Sequence, residues 1–224
     1  MTQALSPVLV RSALYALSFR VQLANTLYCT QTVSTNSASE VDATSMMKIN
    51  IVGTTASGKT TFGKALAEVT DASFIEMDRV FWGPNWQEPP DIEFFKNLET
   101  ALMPLSWVLD GNYSRTTPIK WKDVDTVVWL DYGFCRTLYQ SITRAVSRAY
   151  RKTELWPNTG NYETFRRMFS SDSIVLWCLR KYTSNRIKFK SIIGDPKYSH
   201  INFVHLRSPN QARKYIETFT NQAG

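Results

Sequence analysis

The chain has 224 residues, of which 43% are hydrophobic and 13% aromatic, enough to bury the core of one domain of ordinary size. Its three cysteines, Cys29, Cys135 and Cys178, are scattered, no Cys-x-x-Cys occurs, and His200 and His205 are the two histidines; this excludes a disulfide framework and a structural zinc site. The net charge of +7 is uneven: residues 1–131 carry 10 basic and 14 acidic side chains, residues 132–224 carry 16 and 5, so the second half is the one suited to a polyanion.

Residues 1–45 differ from the rest. Their only charges are Arg11, Arg20, Glu40 and Asp42, and they end in TQTVSTNSASEVDATS before Met46 and Met47. They read as an unstructured leader or an over-extended start, with the domain proper at 46–224 and the protein cytoplasmic. An acid-poor, serine-containing organelle transit peptide is the alternative reading. Arg11 and Arg20 interrupt the apolar run, so no membrane partner is expected.

Lys48 to Val52, with Ile49, Ile51 and Val52, reads as a short strand, and Phe62, Leu66 and Val69 recur at helical spacing. Between them lies GTTASGKTT, Gly53 to Thr61, which fits G-x-x-x-x-G-K-[ST] in full. Glycines at both ends permit a tight turn. The N–H groups of Ala56, Ser57, Gly58, Lys59 and Thr60 are therefore expected to face a phosphate chain at the N-terminus of the helix that Thr61 continues. Lys59 is expected on the β and γ phosphates, and Thr60 offers its hydroxyl to Mg2+, so the implied ligands are ATP and Mg2+.

The later strands read as Ser73 to Asp78 (SFIEMD), Trp107 to Asp110 (WVLD), Thr126 to Asp131 (TVVWLD) and Ile201 to Leu206 (INFVHL). Alternation with helical segments predicts an α/β fold, a doubly wound five-stranded parallel sheet with helices on both faces. Asp91, after Pro89 and Pro90, is expected to cap a helix carrying Phe94, Leu98 and Leu102. A second helix spans about Phe134 to Arg151. The loop LWPNTGN, Leu155 to Asn161, precedes two more helices, the last ending near Gly194, and IVLWCL, Ile174 to Leu179, reads as buried helix.

Three carboxylates close strands, where an open α/β sheet places its ligand crevice. Asp110, in DGNYSRT, is expected to hold magnesium through water, or to form a turn before Gly111. Asp78 is expected to orient an acceptor hydroxyl or to share the magnesium waters, with an N-cap or turn role as the alternative. Asp131 reads mainly as a strand-end cap. Arg115, five residues after Asp110, can reach a second anion or lie on the surface. Arg144, Arg148 and Arg151 share one helix face, as a small basic lid over the triphosphate or as a solvated face; Arg166, Arg167, Arg180 and Lys181 are less specific.

In this order GTTASGKTT, FIEMD, VLDGNYSRT and VVWLD resemble an adenylate-kinase-like P-loop kinase over residues 47 to about 210. The likeness extends to small bacterial proteins labelled adenylate kinase or DNA topology modulation protein, through WGPNW, DGNYSRT, ELWP and FRRMFSSDSIVLW. The resemblance implies a P-loop NTPase fold and maps the magnesium carboxylate onto Asp110, the acceptor-phosphate arginine onto Arg115, and lid-flanking arginines onto Arg144 and Arg148. Ala56 stands where adenylate kinases usually have glycine, and EMDRVFW replaces their TGD segment. The expected activity is transfer of the γ-phosphate of ATP to a small acceptor, a nucleoside monophosphate first. The alternatives are a small hydroxyl metabolite, as the placement of Asp78 resembles that in shikimate and gluconate kinases, and an ATP-binding regulator with nucleic acid as partner. The sequence sets no oligomeric state.

Overall fold

The computed structural model describes residues 46–152, 154–157, 159–163 and 173–221. The expected leader (residues 1–45), Arg166, Arg167 and the first of the two helices expected after Asn161 lie outside the described residues.

Five strands form one parallel sheet: β1 (Lys48–Gly53), β2 (Ser73–Glu76), β3 (Trp107–Asp110), β4 (Thr126–Leu130) and β5 (Asn202–Leu206), in the order β2-β3-β1-β4-β5. The strands are short and almost wholly apolar because both faces are covered. Ile49, Ile51, Val108, Val128 and Leu130 face a layer holding Phe62, Leu66 and Ala212. These come from α1 (Lys59–Val69) and α7 (Pro209–Thr220). Val52, Leu109, Val127 and Trp129 face the other way, onto Met77, Phe81, Phe94, Leu98, Trp121 and Phe189. That layer is built from α2 (Met77–Phe81), α3 (Asp91–Ala101), α4 (Thr117–Lys120) and α6 (Ile174–Ile193) with their connections, and α5 (Phe134–Arg151) packs on α6. The alternation is the period-2 pleat expressed in side chains.

Strand order positions the site. From β1 the chain crosses over β3 to reach β2, and from β3 it crosses back over β1 to reach β4. The loops leaving the adjacent strands β1 and β3 thus diverge, opening a crevice at their carboxyl ends. The phosphate loop and the Asp110 segment are its two lips.

Several expectations shift in detail. β2 ends at Glu76, so Asp78 is the second residue of α2 rather than the end of a strand. Pro90, not Asp91, is the N-cap of α3; Asp91 opens the helix and pairs with Arg115 instead. The helix 134–151 stands as read. The apolar run 174–179 is helical but not buried throughout: Cys178 is buried, whereas Leu176, Trp177 and Leu179 are exposed, because α6 packs through Cys178, Tyr182 and Phe189, one side of the helix. Among the described residues no helix is long and apolar enough to cross a membrane.

One buried charge stands out. Lys120 is 2% exposed, its Nζ donates to the Gly111 carbonyl at 3.2 Å, and burial, with the Lys188 ammonium of α6 nearby, pushes its pKa down to about 7. Below that pH both the folded and unfolded chains carry the proton. Between about 7 and the ordinary lysine value the unfolded chain holds one proton more, so raising the pH adds up to about 1.4 kcal/mol of stability per unit from this group. Lys120→Met is expected to lose this slope and to melt no lower than the native chain at pH 6, because an apolar side chain replaces a buried cation. Denaturant titrations of both proteins from pH 6 to 9 check it; parallel curves would show that Lys120 keeps an ordinary pKa.

Candidate functional site

The phosphate loop is shaped by its own backbone. Gly53 has φ +153°, and a Cβ there would lie 2.5 Å from the Leu130 carbonyl oxygen and 2.9 Å from Ser57 Oγ, so only glycine fits. Ala56 (φ 63°) and Gly58 (φ 88°) are left-handed, and such residues turn successive N–H groups into a concavity. Ala56 bears a modest steric cost that glycine would avoid. The Ser57 N–H is engaged with the Thr54 carbonyl at 3.1 Å, which corrects the expectation that it faces the phosphates. No side chain caps α1, and its first intrahelical donor is Phe62 N–H, so the N–H groups of Lys59, Thr60 and Thr61 stay available at the positive end of the helix.

The side chains add positive charge to this concavity. Ala56, Gly58, Lys59, Thr60 and Thr61 line a cavity of about 310 Å³ together with Gln140, Arg144 and Arg148 of α5. Arg144 and Arg148 reach it because residues four apart share a helix face, while the small Ser141, Ala145 and Ala149 on the buried face let α5 pack closely. Arg151 is exposed and does not line the cavity, so the basic face expected of three arginines supplies two. Among the described residues, two buried lining atoms, Arg144 Nε and Gln140 Oε1, and Ser57 Oγ in the loop have no hydrogen-bond partner. Burial and the neighbouring Arg148 hold the Arg144 guanidinium below its ordinary pKa. Arg148 is steadied by Glu163 at 2.9 Å.

Lys59 Nζ donates to the Thr54 carbonyl at 3.1 Å. Burial lowers its pKa, against the opposing pull of Asp110 and Asp78. Across the crevice Asp110 is buried at the end of β3, and its Oδ2 accepts from Thr60 Oγ1 at 2.6 Å. Burial raises its pKa, offset by Lys59 and the Thr60 hydrogen bond. The two residues expected at magnesium are thus brought together. Among the described residues no three His, Cys, Asp or Glu side chains form a metal cage. A hydroxyl and a carboxylate, both hard oxygen donors, fit Mg2+.

Beyond Asp110 the carboxylates continue. Asp78 Oδ1 accepts from Tyr113 Oη at 2.8 Å, and this contact with burial keeps the phenol protonated far above its usual range. Glu76 has its pKa raised by burial and by Asp110 and Asp78, while the Trp156 side chain hydrogen-bonds it. Trp156 also meets Trp86 edge-to-face at 6.0 Å, and Trp86 meets Trp82 at 5.5 Å. Asn161 ties its segment, residues 159–163, to the 82–86 segment: it accepts from Trp86 N–H at 2.6 Å and donates to the Gly83 carbonyl at 3.0 Å.

Two expected residues stand elsewhere. Arg115 pairs with Asp91 at 2.9 Å, with its guanidinium over the rings of Phe81 and Phe94 at 4.9 and 5.3 Å. Asp131 is more than a strand-end cap: it accepts from Arg186 at 2.8 Å and from His205 at 3.0 Å, tying β4 to α6 and β5. Sequence reasoning missed Gln140, Glu76, Tyr113 and Asn112. The last three lie inside segments already marked by their motifs, but which side chains turn to the crevice is not a local property.

No protein-family model and no curated protein matches the chain. Solved structures similar to it include a shikimate kinase from Acinetobacter baumannii in complex with shikimate, 14% identical, covering 81% of this chain and 94% of that one with a TM-score of 0.47. Another is a gluconokinase from Sinorhizobium meliloti 1021, 14% identical, covering 80% of this chain and 95% of that one with a TM-score of 0.41.

Proposed function

We propose that the protein is a P-loop kinase that transfers the γ-phosphate of ATP to a hydroxyl group of a small metabolite. The observation that carries this reading is the convergence of two distant parts of the chain on one cavity, the loop with Lys59 and Thr60 and the α5 face with Arg144 and Arg148, while Asp110 of a third part is held to Thr60 at 2.6 Å. Loop N–H groups and Lys59 bind the phosphates; Arg144 and Arg148 lie where charge spreads onto the transferring group. Thr60 and Asp110 would hold Mg2+, which when bound offsets the phosphate charge.

On the acceptor side, the Asp78 carboxylate held by Tyr113 would orient a hydroxyl and take its proton. Arg115, the residue that a nucleoside monophosphate would require, is bound to Asp91 and two phenyl rings. This favours the hydroxyl metabolite over the monophosphate. The inward turn of Arg144 and Arg148 favours a kinase over a regulator that would present its cations along nucleic acid.

Phosphoryl-transfer assays over hydroxyl metabolites and nucleoside monophosphates test the reading. With the acceptor so found, Asp78→Asn, which can still meet Tyr113, is expected to lower kcat by about 10²-fold or more while the Mg-ATP-induced rise in Tm persists. Salt-dependent DNA binding with no transfer to any acceptor would hand the site to the regulator.

A further inference from the structure

The segment that carries Asp110 grips the phosphate loop a second time. In the sheet, β1 pairs with β3 only as far as Ile51 opposite Asp110, with Gly111 N–H donating to the Ile51 carbonyl at 3.2 Å. Gly53, two residues on, would present its next peptide groups to the same side, but β3 has already ended. The carboxamide of Asn112 takes the missing strand's place: its Oδ1 accepts from Gly53 N–H at 3.0 Å and its Nδ2 donates to the Gly53 carbonyl. A side-chain amide here imitates a backbone peptide, so Gly53, the first residue of the loop, is held on this side although the ladder has stopped.

The peptide before Asn112 is anchored as firmly. The Gly111 carbonyl accepts from Asn50 Nδ2 and from Lys120 Nζ, both at 3.2 Å. Asn50 is fully buried on the central strand, donates also to the Leu109 carbonyl at 3.0 Å, and accepts from Trp121 Nε1 at 2.8 Å. A Cβ on Gly111 would lie 2.5 Å from that of Met77. Fold stability alone is a poor reason to bury an amine beneath a carbonyl.

We infer that Asn112 is a positioning residue that holds the phosphate loop in its nucleotide-binding shape, and that Lys120, through the Gly111 carbonyl, holds Asn112 in place. The turn 110–112 then fixes the loop at both ends, at Gly53 through Asn112 and at Thr60 through Asp110. A loop fixed in advance loses less freedom when phosphate arrives. The inference rests on the phosphate-loop reading of the site, and it concerns ATP rather than the acceptor.

The test is titration of Mg-ATP, followed by calorimetry and by the rise in Tm, on the full chain and on Asn112→Ala, Asn112→Asp and Lys120→Met, with KM measured for both substrates. Losing the clamp's two hydrogen bonds should raise the Kd for Mg-ATP about tenfold in Asn112→Ala, with the acceptor KM unchanged within about twofold. Asn112→Asp keeps the acceptor and loses the donor, and should weaken binding too; it stands in if the alanine variant fails to fold. Lys120→Met should weaken Mg-ATP without lowering the Tm of the nucleotide-free protein, which a merely structural role would not do. Native-like Kd values in all variants that fold would overturn the inference and leave the phosphate-loop reading intact. Failure of the native chain itself to bind Mg-ATP would overturn both.

Discussion

Replacing Lys59 with alanine is expected to lower kcat by a factor of about 10²–10³ while the protein stays folded. The reasoning begins with what the ammonium does in the nucleotide-free protein. It donates to the Thr54 carbonyl at 3.1 Å, and burial makes the charged form costly, so its removal relieves one strain as it breaks one hydrogen bond. The net effect on Tm should therefore be small. In the proposed function the same ammonium would meet phosphate oxygens whose charge grows as the γ group leaves, so its loss falls on the transition state. Steady-state kinetics with the acceptor identified by screening, together with thermal melts with and without Mg-ATP, measure the two halves. Native turnover by Lys59→Ala would falsify the assignment of the loop.

The arginines should separate into two classes. Arg144 lines the cavity, and among the described residues its buried Nε has no hydrogen-bond partner. Arg144→Ala is accordingly expected to lower kcat about 10²-fold, with a smaller loss for Arg148→Ala, since Glu163 already takes part of that side chain's charge at 2.9 Å. Arg115 is bound to Asp91 and lies over Phe81 and Phe94, all on the α2–α3 side of the sheet. Arg115→Ala should cost about 1 kcal/mol of stability, the sum of an exposed ion pair and two ring contacts, and leave both KM values within about threefold. Kinetics of the three alanine variants decide the acceptor. A rise of ten-fold or more in acceptor KM for Arg115→Ala would mean that the guanidinium leaves Asp91 for an acceptor phosphate, and would restore the nucleoside monophosphate reading.

Much of this protein is legible in local pattern. Five strands could be placed within two residues because a strand covered on both faces is a short apolar run that few other elements imitate. The phosphate loop is legible because most of its requirements are local too: glycine at the left-handed Gly53 and Gly58, where Ser57 also crowds a Cβ at Gly53, and lysine and threonine at the first turn of the helix. Asp110 followed from standing at the end of an apolar strand beside Gly111.

What the tertiary structure alone decided are the partners of side chains far apart in the chain. Thr60 and Asp110 are fifty residues apart and Gly53 and Asn112 fifty-nine, and both pairs form because β3, third in sequence, lies beside β1 in the sheet. Spacing put Arg144, Arg148 and Arg151 on one helix face, but the angle at which α5 packs brings the first two over the cavity and leaves the third in solvent. Arg115 illustrates the converse. Its position after DGNYS gave no sign of Asp91, twenty-four residues earlier, and an exposed guanidinium pairs with whichever carboxylate and rings the fold brings within reach. Periodicity and steric need act between neighbours in sequence and can be read there, whereas the pairing of polar groups depends on strand order and helix packing, which no window of the sequence contains.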